Sequence, residues 1–394
     1  EELDTYLLLI GSATFYLSNQ QGSSNVLLKE ISLDLDLNSQ SLDLLMYWLL
    51  KSDYSSSLEI DNSFYKEQIV LIHGFIRNFF QSGDIGETFS ELNKFRNKVY
   101  KLGSYREILF IDIIFSLIKI KYKNSTWVNL PIYSNIDLEQ WRETILKDSF
   151  IKEFWPSQHL LGENEVFKGK SAVIQLPTSA GKTKSTEIII RSSFLSERAN
   201  IAIIVAPFRA LCNEIKNDLQ FSFDNENINV DEFSDVLQVD VEIEDILESE
   251  NKSIFVSTPE KLYYLLKQYP VLASKIGLLI YDEGHQFDSG TRGVIYELLV
   301  SSLKKELPSN AQVILISAVI SNAETINNWL TSNQGVVVSG NNINTNTLEI
   351  YNDKFSSKYL NYSKEYRNYI KDILENYNIN SILIEKLNEI LTAH

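Results

Sequence analysis

Apolar residues follow two different spacings along this 394-residue chain. In residues 1–135 they recur at helical intervals, so that Leu8, Ala13, Tyr16 and Leu17 would lie near one face of a helix. The polar stretch NQQGSSN that follows is typical of a turn into a second helix. The pattern therefore predicts an all-α N-terminal domain that begins with a helical hairpin.

Beyond residue 136 the apolar residues form short continuous runs, and helix-like segments separate most of them. The runs are AVIQL (172–176), IAIIVA (201–206), IFVS (254–257), GLLIY (277–281), QVILIS (312–317) and GVVVS (335–339). Such runs are typical of a parallel sheet that helices cover on both faces. We therefore predict an α/β domain over residues 136–340, with ligands beyond the carboxyl ends of the strands. Residues 341–394 predict a linker and helices.

The composition narrows the classes of function. A single cysteine, Cys212, excludes an internal disulfide framework and a cysteine-rich metal site. The apolar runs are shorter than the roughly 20 residues that span a bilayer. The chain also starts with acidic residues, which is unlike a signal peptide. We expect a soluble cytoplasmic protein without a membrane partner.

Charge is unevenly distributed within a net of −16. Residues 221–251 hold eleven acids and no Lys or Arg, which predicts a solvated insertion or, alternatively, a contact for a basic partner or a surface that repels nucleic acid. Between Lys94 and Lys123, eight basic residues oppose two acids. That segment predicts a solvated helix face. The alternative is a nucleic-acid or partner surface, because Tyr100, Tyr105 and Tyr122 are interleaved with the basic residues.

The first apolar run leads into PTSAGKTKSTEIII, which predicts a turn followed by an amphipathic helix. Backbone N–H groups at a helix start attract anions. Lys182 would neutralise the β- and γ-phosphates of a nucleotide, and the Thr183 hydroxyl would hold Mg²⁺. The pattern GxxxxGK[ST] is incomplete, because Leu176 occupies its first glycine position.

A second run ends in two carboxylates, in LLIYDEGHQFD (278–288). A phosphate-loop enzyme needs a second strand that places an acid beside the magnesium. Asp282 would bind that ion through water, and Glu283 would orient and deprotonate the attacking water.

Three further strand ends carry candidate residues. In APFRALCNE, Pro207 suits a first helical turn, and Arg209 would lie near it. In STPEKL, Thr258 suits a helix N-cap and Pro259 suits the first helical position. Both segments are explained either by ordinary capping or by helix N-termini that hold a nucleic-acid backbone. In SAVISNAE, Ser317 and Ala318 either sense the γ-phosphate or pack a turn. Ser321 and Glu324 would form a capping box.

Together these segments resemble the first motor domain of superfamily 2 helicases of the DExH-box type. The motifs FWPSQ, PTSAGKT, APFRAL, STPEKL, DEGH and SAVISN stand in the family's order. The PxQ element at 156–158 and RGVIYE at 292–297 resemble the superkiller-like branch. The resemblance covers roughly residues 150–345. It implies a RecA-like domain that uses ATP and Mg²⁺.

The resemblance also implies roles for single residues. Gln158 would read the adenine, and Thr178, Ser179, Ala180 and Gly181 would complete the phosphate loop. His285 would couple the nucleotide site to another motor domain. Arg209, Thr258 and Arg292 would face the nucleic-acid strand, although Arg292 is equally explained as an ion-pair partner.

This sequence departs from the family pattern in places. Ser179 and Ala180 replace the commoner Gly and Ser, and Val319 stands where Thr is usual, which affects coupling more than hydrolysis. No arginine-rich QxxGRxGR-like stretch follows residue 320. We therefore expect the front part of a longer protein. Alone, this part would bind ATP–Mg²⁺ weakly and turn it over slowly, since a missing arginine finger costs about 10³–10⁵ in rate.

Two functions compete at this point. The first is an ATP-driven nucleic-acid helicase or translocase, with DNA mildly favoured over RNA. The second is a nucleic-acid-sensing regulatory ATPase in a bacterial antiviral defence complex with a partner such as a nuclease. A catalytically dead binding module is disfavoured, because Lys182, Asp282 and Glu283 are all present.

Overall fold

The computed structural model describes residues 2–31, 41–58, 64–177, 180–233, 251–284, 290–318, 320 and 322–340. The chain divides into two compact units, and the division falls between Ser125 and Thr126. The domain boundary at residue 135 that the sequence suggests stays a prediction.

The elements described in the first unit are all helices, as predicted. Its helices are α1 (Glu2–Leu17), α2 (Gln21–Lys29), α3 (Ser41–Lys51), α4 (Lys66–Ser82), α5 (Thr88–Leu102) and α6 (Tyr105–Asn124). The predicted hairpin is confirmed, because α1 packs on α2 and the Ser12 and Ser24 hydroxyls lie 2.8 Å apart across it. The predicted turn NQQGSSN is wrong in its extent, because α2 begins at Gln21 and only residues 18–20 connect the two helices. Ser104 and Glu107 form a capping box that starts α6.

Three of the eight cations in the basic segment from Lys94 to Lys123 are held inside this unit, whereas Lys94, Lys101, Lys119 and Lys123 are exposed, as a solvated face predicts. Arg96 Nε donates to Asp112 Oδ1 at 2.6 Å, and Arg106 pairs with Asp43 at the same distance. Lys121 is fully buried, with its Nζ 2.8 Å from Ser52 Oγ. The predicted solvated face is therefore wrong for these three cations, because buried acids and hydroxyls hold them.

The tyrosines of the same segment do not form a common stacking surface. Tyr122 is buried and stacks on Phe79, with ring centroids 3.9 Å apart. The Tyr100 hydroxyl donates to Asp112 Oδ2 at 2.5 Å, while Tyr105 is exposed. The three rings therefore do not support the alternative of a nucleic-acid or partner surface, which stays a prediction.

The second unit alternates helices and strands, which confirms the predicted α/β class. Its elements are α7 (Thr126–Ser134), α8 (Leu138–Leu146), α9 (Pro156–Glu163), β1 (Ala172–Gln175), α10 (Lys182–Leu195), β2 (Ile201–Val205), α11 (Arg209–Ser222), β3 (Ile228–Glu232), β4 (Lys252–Ser257), α12 (Pro259–Gln268), α13 (Val271–Lys275), β5 (Ile276–Tyr281), α14 (Gly290–Glu306), β6 (Gln312–Ser317), α15 (Ala323–Thr331) and β7 (Val336–Ser339).

Within the described residues the strands form one seven-stranded sheet in the order β3-β4-β2-β5-β6-β1-β7, and every pair is parallel. Strand β6 lies between β1 and β5, with Ser317 opposite Gln175 and Leu315 opposite Tyr281. The carboxyl ends of all strands meet at one edge of the sheet, which brings the predicted site residues together.

Continuous burial explains the apolar runs. Every residue of β1 and β2 is buried. On one side, a cluster that includes Leu279, Leu315, Leu262 and Leu303 joins the sheet to α12 and α14. Helix α10 is buried along most of its length rather than amphipathic, because Ser185 and the eight residues 187–194 are all covered.

The acidic segment is only partly a solvated insertion. Its start completes α11 and forms β3 at the edge of the sheet, and residues 234–250 lie outside the described residues. Glu232 is buried, with its Oε1 3.8 Å from Lys261 Nζ. Glu226 pairs with Lys147 and Arg191. The solvated assignment is therefore wrong for these two acids, which neutralise cations from other elements.

In the part of the chain that the structure describes, no helix combines the length and the apolar character needed to cross a membrane.

Candidate nucleotide site and nucleic-acid interface

The loop between β1 and α10 has the predicted strand–turn–helix form. Helix α10 begins at Lys182, and Gly181 is its N-cap with φ of +78°. Glycine adopts this left-handed conformation without steric cost. The first N–H groups of the helix have no partner within the helix, so they are available to an anion. Ala180, the preceding loop residue, is buried.

The ammonium group of Lys182 is the most distinctive feature of this loop. Its Nζ is buried and has no hydrogen-bond partner, and Glu283 Oε1 lies 3.6 Å away. A buried ammonium that lacks hydrogen bonds carries a desolvation cost, which a phosphate oxygen would relieve. The Lys182 ammonium group is therefore positioned to bind an anionic ligand.

The acid pair lies directly after β5. Asp282 N–H donates to Val205 O at 2.9 Å, which fixes the tip of β5 to β2. Glu283 N–H donates to Asp282 Oδ1 at 3.0 Å, and Glu283 has a left-handed φ of +52°. The turn aims Glu283 toward Lys182, while a Cβ on the next residue, Gly284, would lie 2.4 Å from Leu315 Cδ2.

Two tyrosines lie behind the acids. The rings of Tyr281 and Tyr296 are buried with centroids 5.7 Å apart. Burial raises the pKa of both phenols, and for Tyr296 the nearby Asp282 carboxylate raises the pKa further. Both phenols therefore stay neutral at physiological pH.

The oxygen donors of the site fit a hard divalent cation. Thr183 is exposed in the first turn of α10, and Asp282 is half-buried at the tip of β5. Hydroxyl and carboxylate oxygens are the ligands that Mg²⁺ prefers beside nucleotide phosphates. These two side chains would hold the ion that accompanies a triphosphate on Lys182.

Ser317 and Ala318, the candidate γ-phosphate sensors, lie at the tip of the strand between the phosphate loop and the acid pair. Ser317, the last residue of β6, is buried, and its carbonyl accepts from Leu176 N at 3.1 Å. Ala318 follows and is half-buried. Because β6 separates β1 from β5, a shift at this tip would reach both parts of the site.

The tips of β2 and β4 carry the candidate nucleic-acid residues side by side. Ala206 N–H donates to Ser257 O at 3.0 Å across these tips. Pro259 is the first residue of α12, as predicted, and Thr258 is its N-cap by backbone position, although its side chain makes no capping bond. Arg209 is exposed in the first turn of α11.

The prediction that Pro207 lies in a first helical turn is wrong. Helix α11 begins two residues later, because its N-cap residue Phe208 is extended with φ −135° and ψ 145°. Pro207 is buried instead, and Phe208 is 44% exposed beside Arg209. Helix α15 begins at Ala323, with Asn322 as its N-cap.

Several predicted residues are not placed. Thr178, Ser179, His285, Val319 and Ser321 lie outside the described residues, and of Arg292 the structure describes only the backbone, in α14. Their roles stay predictions.

Gln158 lies at the start of α9, directly behind the phosphate loop. Its side chain is buried, and it bonds to Trp155 N and Gly181 O. Sequence reasoning missed its neighbour Ser157, whose hydroxyl donates to Ala180 O. No feature of the sequence pointed to Ser157 beyond its position inside the PxQ element, because its partner is a backbone carbonyl.

The DEAD/DEAH box helicase family model matches residues 159–326 of this chain. The chain is also similar to the Hachiman protein HamB of Bacillus cereus, with 27% identity over 349 residues, which cover 82% of this chain and 30% of that protein. The ATP-dependent DNA helicase Hel308 of Methanococcus vannielii is 28% identical over 191 residues, which cover 47% of this chain and 24% of that protein.

Among solved structures, the DUF1998 helicase MrfA matches 52% of this chain and 32% of that chain at 19% identity. The TM-score of that match is 0.42. The matched part of the chain spans less than a third of the length of each of these relatives.

Proposed function

We propose, from the helicase-family domain at residues 159–326, that this chain is part of a nucleic-acid-dependent ATPase that acts as a helicase or translocase. The observation that carries the proposal is the buried Lys182 ammonium, which has no hydrogen-bond partner and lies beside Glu283 at the strand edge. The superkiller-like branch remains our proposal on the PxQ and RGVIYE elements.

The proposed chemistry uses ATP with Mg²⁺, which together supply the phosphoanhydride bond and a Lewis acid. Lys182 and the first N–H groups of α10 would bind the β- and γ-phosphates. Thr183 and Asp282 would hold the ion. A bound phosphate would replace Glu283 as the neighbour of Lys182, which would free the carboxylate to accept a proton from the attacking water.

The proposed nucleic-acid track crosses the tips of β2 and β4. Arg209, Thr258 and Pro259 lie at the first turns of α11 and α12, where N–H groups and an exposed guanidinium suit phosphates. Pro207 would support this surface from beneath, and Arg292 would join it from α14. We favour DNA, because Hel308 is an ATP-dependent DNA helicase. Ser317 and Ala318, with His285, would couple the nucleotide to the track.

A second candidate function is a nucleic-acid-sensing ATPase in a bacterial antiviral defence complex. It is favoured by the similarity to the Hachiman protein HamB. That alignment is longer than residues 126–343, so it extends beyond the α/β unit. In this function the helical region would hold a protein partner such as a nuclease.

The first test is ATP hydrolysis by the full-length protein without nucleic acid and with single-stranded DNA, single-stranded RNA or duplex. We expect stimulation by one polymer, and Glu283→Gln should lower the rate about 10²–10⁴-fold because it removes the base. Glu306→Gln, at an exposed position in α14, is the matched control and should hydrolyse normally. Full activity of Glu283→Gln would contradict the proposed mechanism.

The two functions differ in what the active protein does. Strand displacement by the purified full-length protein alone supports the helicase. A stable stoichiometric protein partner, together with ATP hydrolysis that requires it, supports the sensing ATPase.

A further inference from the structure

One side of α5 in the helical unit is basic, although the chain is acidic overall. Residues 92–106 contain five basic residues and no acid, whereas the whole chain has a net charge of −16. The two arginines of this stretch pair with buried acids. The three lysines do not enter the core, because Lys94 and Lys101 are exposed and Lys98 is half-buried.

Two aromatic rings border these lysines. Phe64, two residues before α4, is 68% exposed, and Tyr105, the first residue of α6, is 70% exposed. The Nζ of Lys98 lies 4.9 Å from the centroid of the Phe64 ring. A Cβ on Gly103 would lie 3.2 Å from the Tyr65 hydroxyl, so the start of α4 contacts the turn between α5 and α6. Both rings therefore lie around the same corner of the helical unit.

The lysines and an exposed leucine share one side of α5. Lys98, Lys101 and Leu102 stand at positions i, i+3 and i+4 of the helix, which are neighbours on its surface. Leu102 is 64% exposed. We call the surface formed by these three residues with Phe64 and Tyr105 the aromatic-basic face.

The chemistry of the aromatic-basic face suits one kind of partner. Cations beside exposed rings fit a polymer that carries both negative charge and flat rings. Single-stranded nucleic acid is such a polymer, because its phosphates attract lysine and its unpaired bases stack on aromatic side chains. A duplex keeps its bases stacked on one another, so the two rings would gain nothing from it. The excess of acids in the rest of the chain repels the same polymer, which makes a stretch without acids the favourable place for it.

We propose that the aromatic-basic face of the helical unit binds single-stranded nucleic acid. Phe64 and Tyr105 stack on unpaired bases, and Lys98 and Lys101 bind phosphates. The face belongs to the helical unit, whereas the proposed track belongs to the α/β unit, so it is a second contact with the polymer. It does not depend on ATP binding.

Fluorescence anisotropy of labelled oligonucleotides with the full-length protein tests the two rings. The probes are single-stranded DNA, single-stranded RNA and a strand of equal length whose nucleotides lack bases. Phe64→Ala and Tyr105→Ala should each weaken the binding of base-bearing DNA or RNA about tenfold, because one stacked base is lost. Neither should change the binding of the abasic strand. Leu7→Ala, at a 51% exposed apolar position in α1, is the control and should bind all three probes like the parent.

The salt dependence of the same binding tests the lysines. Lys101→Gln should reduce the slope of log K against log salt by about 0.7, which is the value for one phosphate contact on a single strand. Lys29→Gln is the matched control, because Lys29 and Lys101 are both exposed in the last turn of a helix. It should leave the slope unchanged.

Three results would overturn the inference. One is unchanged binding in both ring variants, and another is an equal loss on the abasic strand, since that loss would not come from stacking. The third is a parent protein that binds no single strand. Thermal unfolding of each variant shows whether the fold is kept, and Lys101→Gln carries the test if a ring variant does not fold.

Failure of this inference is distinguishable from failure of the proposed function. If single strands stimulate ATP hydrolysis while both ring variants bind like the parent, the proposed function stands and the aromatic-basic face is not a binding site.

Discussion

At the scale of single residues, the backbone of Glu283 is unusual. A left-handed φ on a residue other than glycine costs about 1–3 kcal/mol and persists only where its surroundings impose it. Here the imposing contacts are the bond of Glu283 N–H to Asp282 Oδ1 and the tight packing of Gly284 on Leu315. The conformation places the carboxylate near Lys182, so the strain serves the site.

Gly284→Ala should disturb this turn. The new Cβ would lie 2.4 Å from Leu315 Cδ2, and we expect the free energy of unfolding to fall by about 1–3 kcal/mol. Urea unfolding of the parent and the variant measures this change in free energy. Gly74→Ala, in open space within α4, is the control and should be neutral or stabilising.

The contact with Leu315 can be tested by a double-mutant cycle. Because Leu315→Ala removes the colliding atoms, Gly284→Ala should cost less in that background than alone. Simple additivity of the two substitutions would contradict the packing argument.

His73 predicts a pH dependence of stability. Its Nε2 is buried without a hydrogen-bond partner, and burial, with a smaller effect of the Arg77 charge, lowers its pKa from 6.5. The unfolded chain then binds this proton more readily than the folded one. Stability is therefore full above about pH 6.5 and is lost as the pH falls through the lowered folded pKa.

We expect His73→Leu to remove that contribution. Urea midpoints of the parent and the variant between pH 5 and 8 measure it, and their difference should change as the pH drops. Parallel curves for the two proteins would show that His73 does not titrate as expected.

At the scale of elements, the sequence predicted the strands that are continuously apolar and missed β3. Ile228–Glu232 reads INVDE and has only two apolar residues among five. It lies at the edge of the sheet, where it has a neighbouring strand on one side only, so fewer of its side chains are buried. Its acids suggested solvent, yet Glu232 is buried near Lys261. Pairing of distant charges cannot be read from local composition.

The same limit applies to the site. Lys182, Asp282 and Glu283 were predictable, because their chemistry follows directly from residue type and from position after a strand. The supporting contacts of Ser157 and Gln158 were not, because they depend on carbonyl groups brought close only by folding.

Helix α10 is attached to its surroundings by a buried charge network. Arg191 is 2% exposed and bonds to Glu187 at 3.0 Å, Glu226 at 2.8 Å and Ser222 O at 2.6 Å. The network ties the helix that begins with Lys182 to the end of α11. Without the Arg191 guanidinium, the buried charge of Glu187 would lose one of its neutralising partners.

Arg191→Leu should therefore lower the free energy of unfolding by about 3–5 kcal/mol. Arg142→Leu is the matched control, since its pair with Glu139 is exposed, and it should cost about 0–1 kcal/mol. Equal effects of the two substitutions in chemical unfolding would refute a structural role for the network.

At the scale of the whole molecule, the net charge of −16 repels nucleic acid, so binding should depend on few local cations. If Arg209 contacts a phosphate, Arg209→Ala should weaken binding about equally for different sequences. It should also reduce the slope of log K against log salt by about 1.

Fluorescence titrations with single-stranded DNA at several salt concentrations measure that slope. Arg142→Ala, in α8, is the control and should leave it unchanged. An unaltered slope for Arg209→Ala would remove Arg209 from the proposed track.

The strand order has a consequence for synthesis of the protein on the ribosome. Strand β1 pairs only with β6 and β7, the last strands of the described sheet. Gln175 therefore cannot pair with Ser317 until the ribosome has made β6. At about 5–20 residues per second, the intervening 140 or so residues take roughly 7–30 s to make. During that interval the nascent chain exposes an apolar strand with no neighbour. If the chain binds a nucleotide as proposed, we expect binding only after β1 has paired with β6, so binding would report that this part of the sheet has formed.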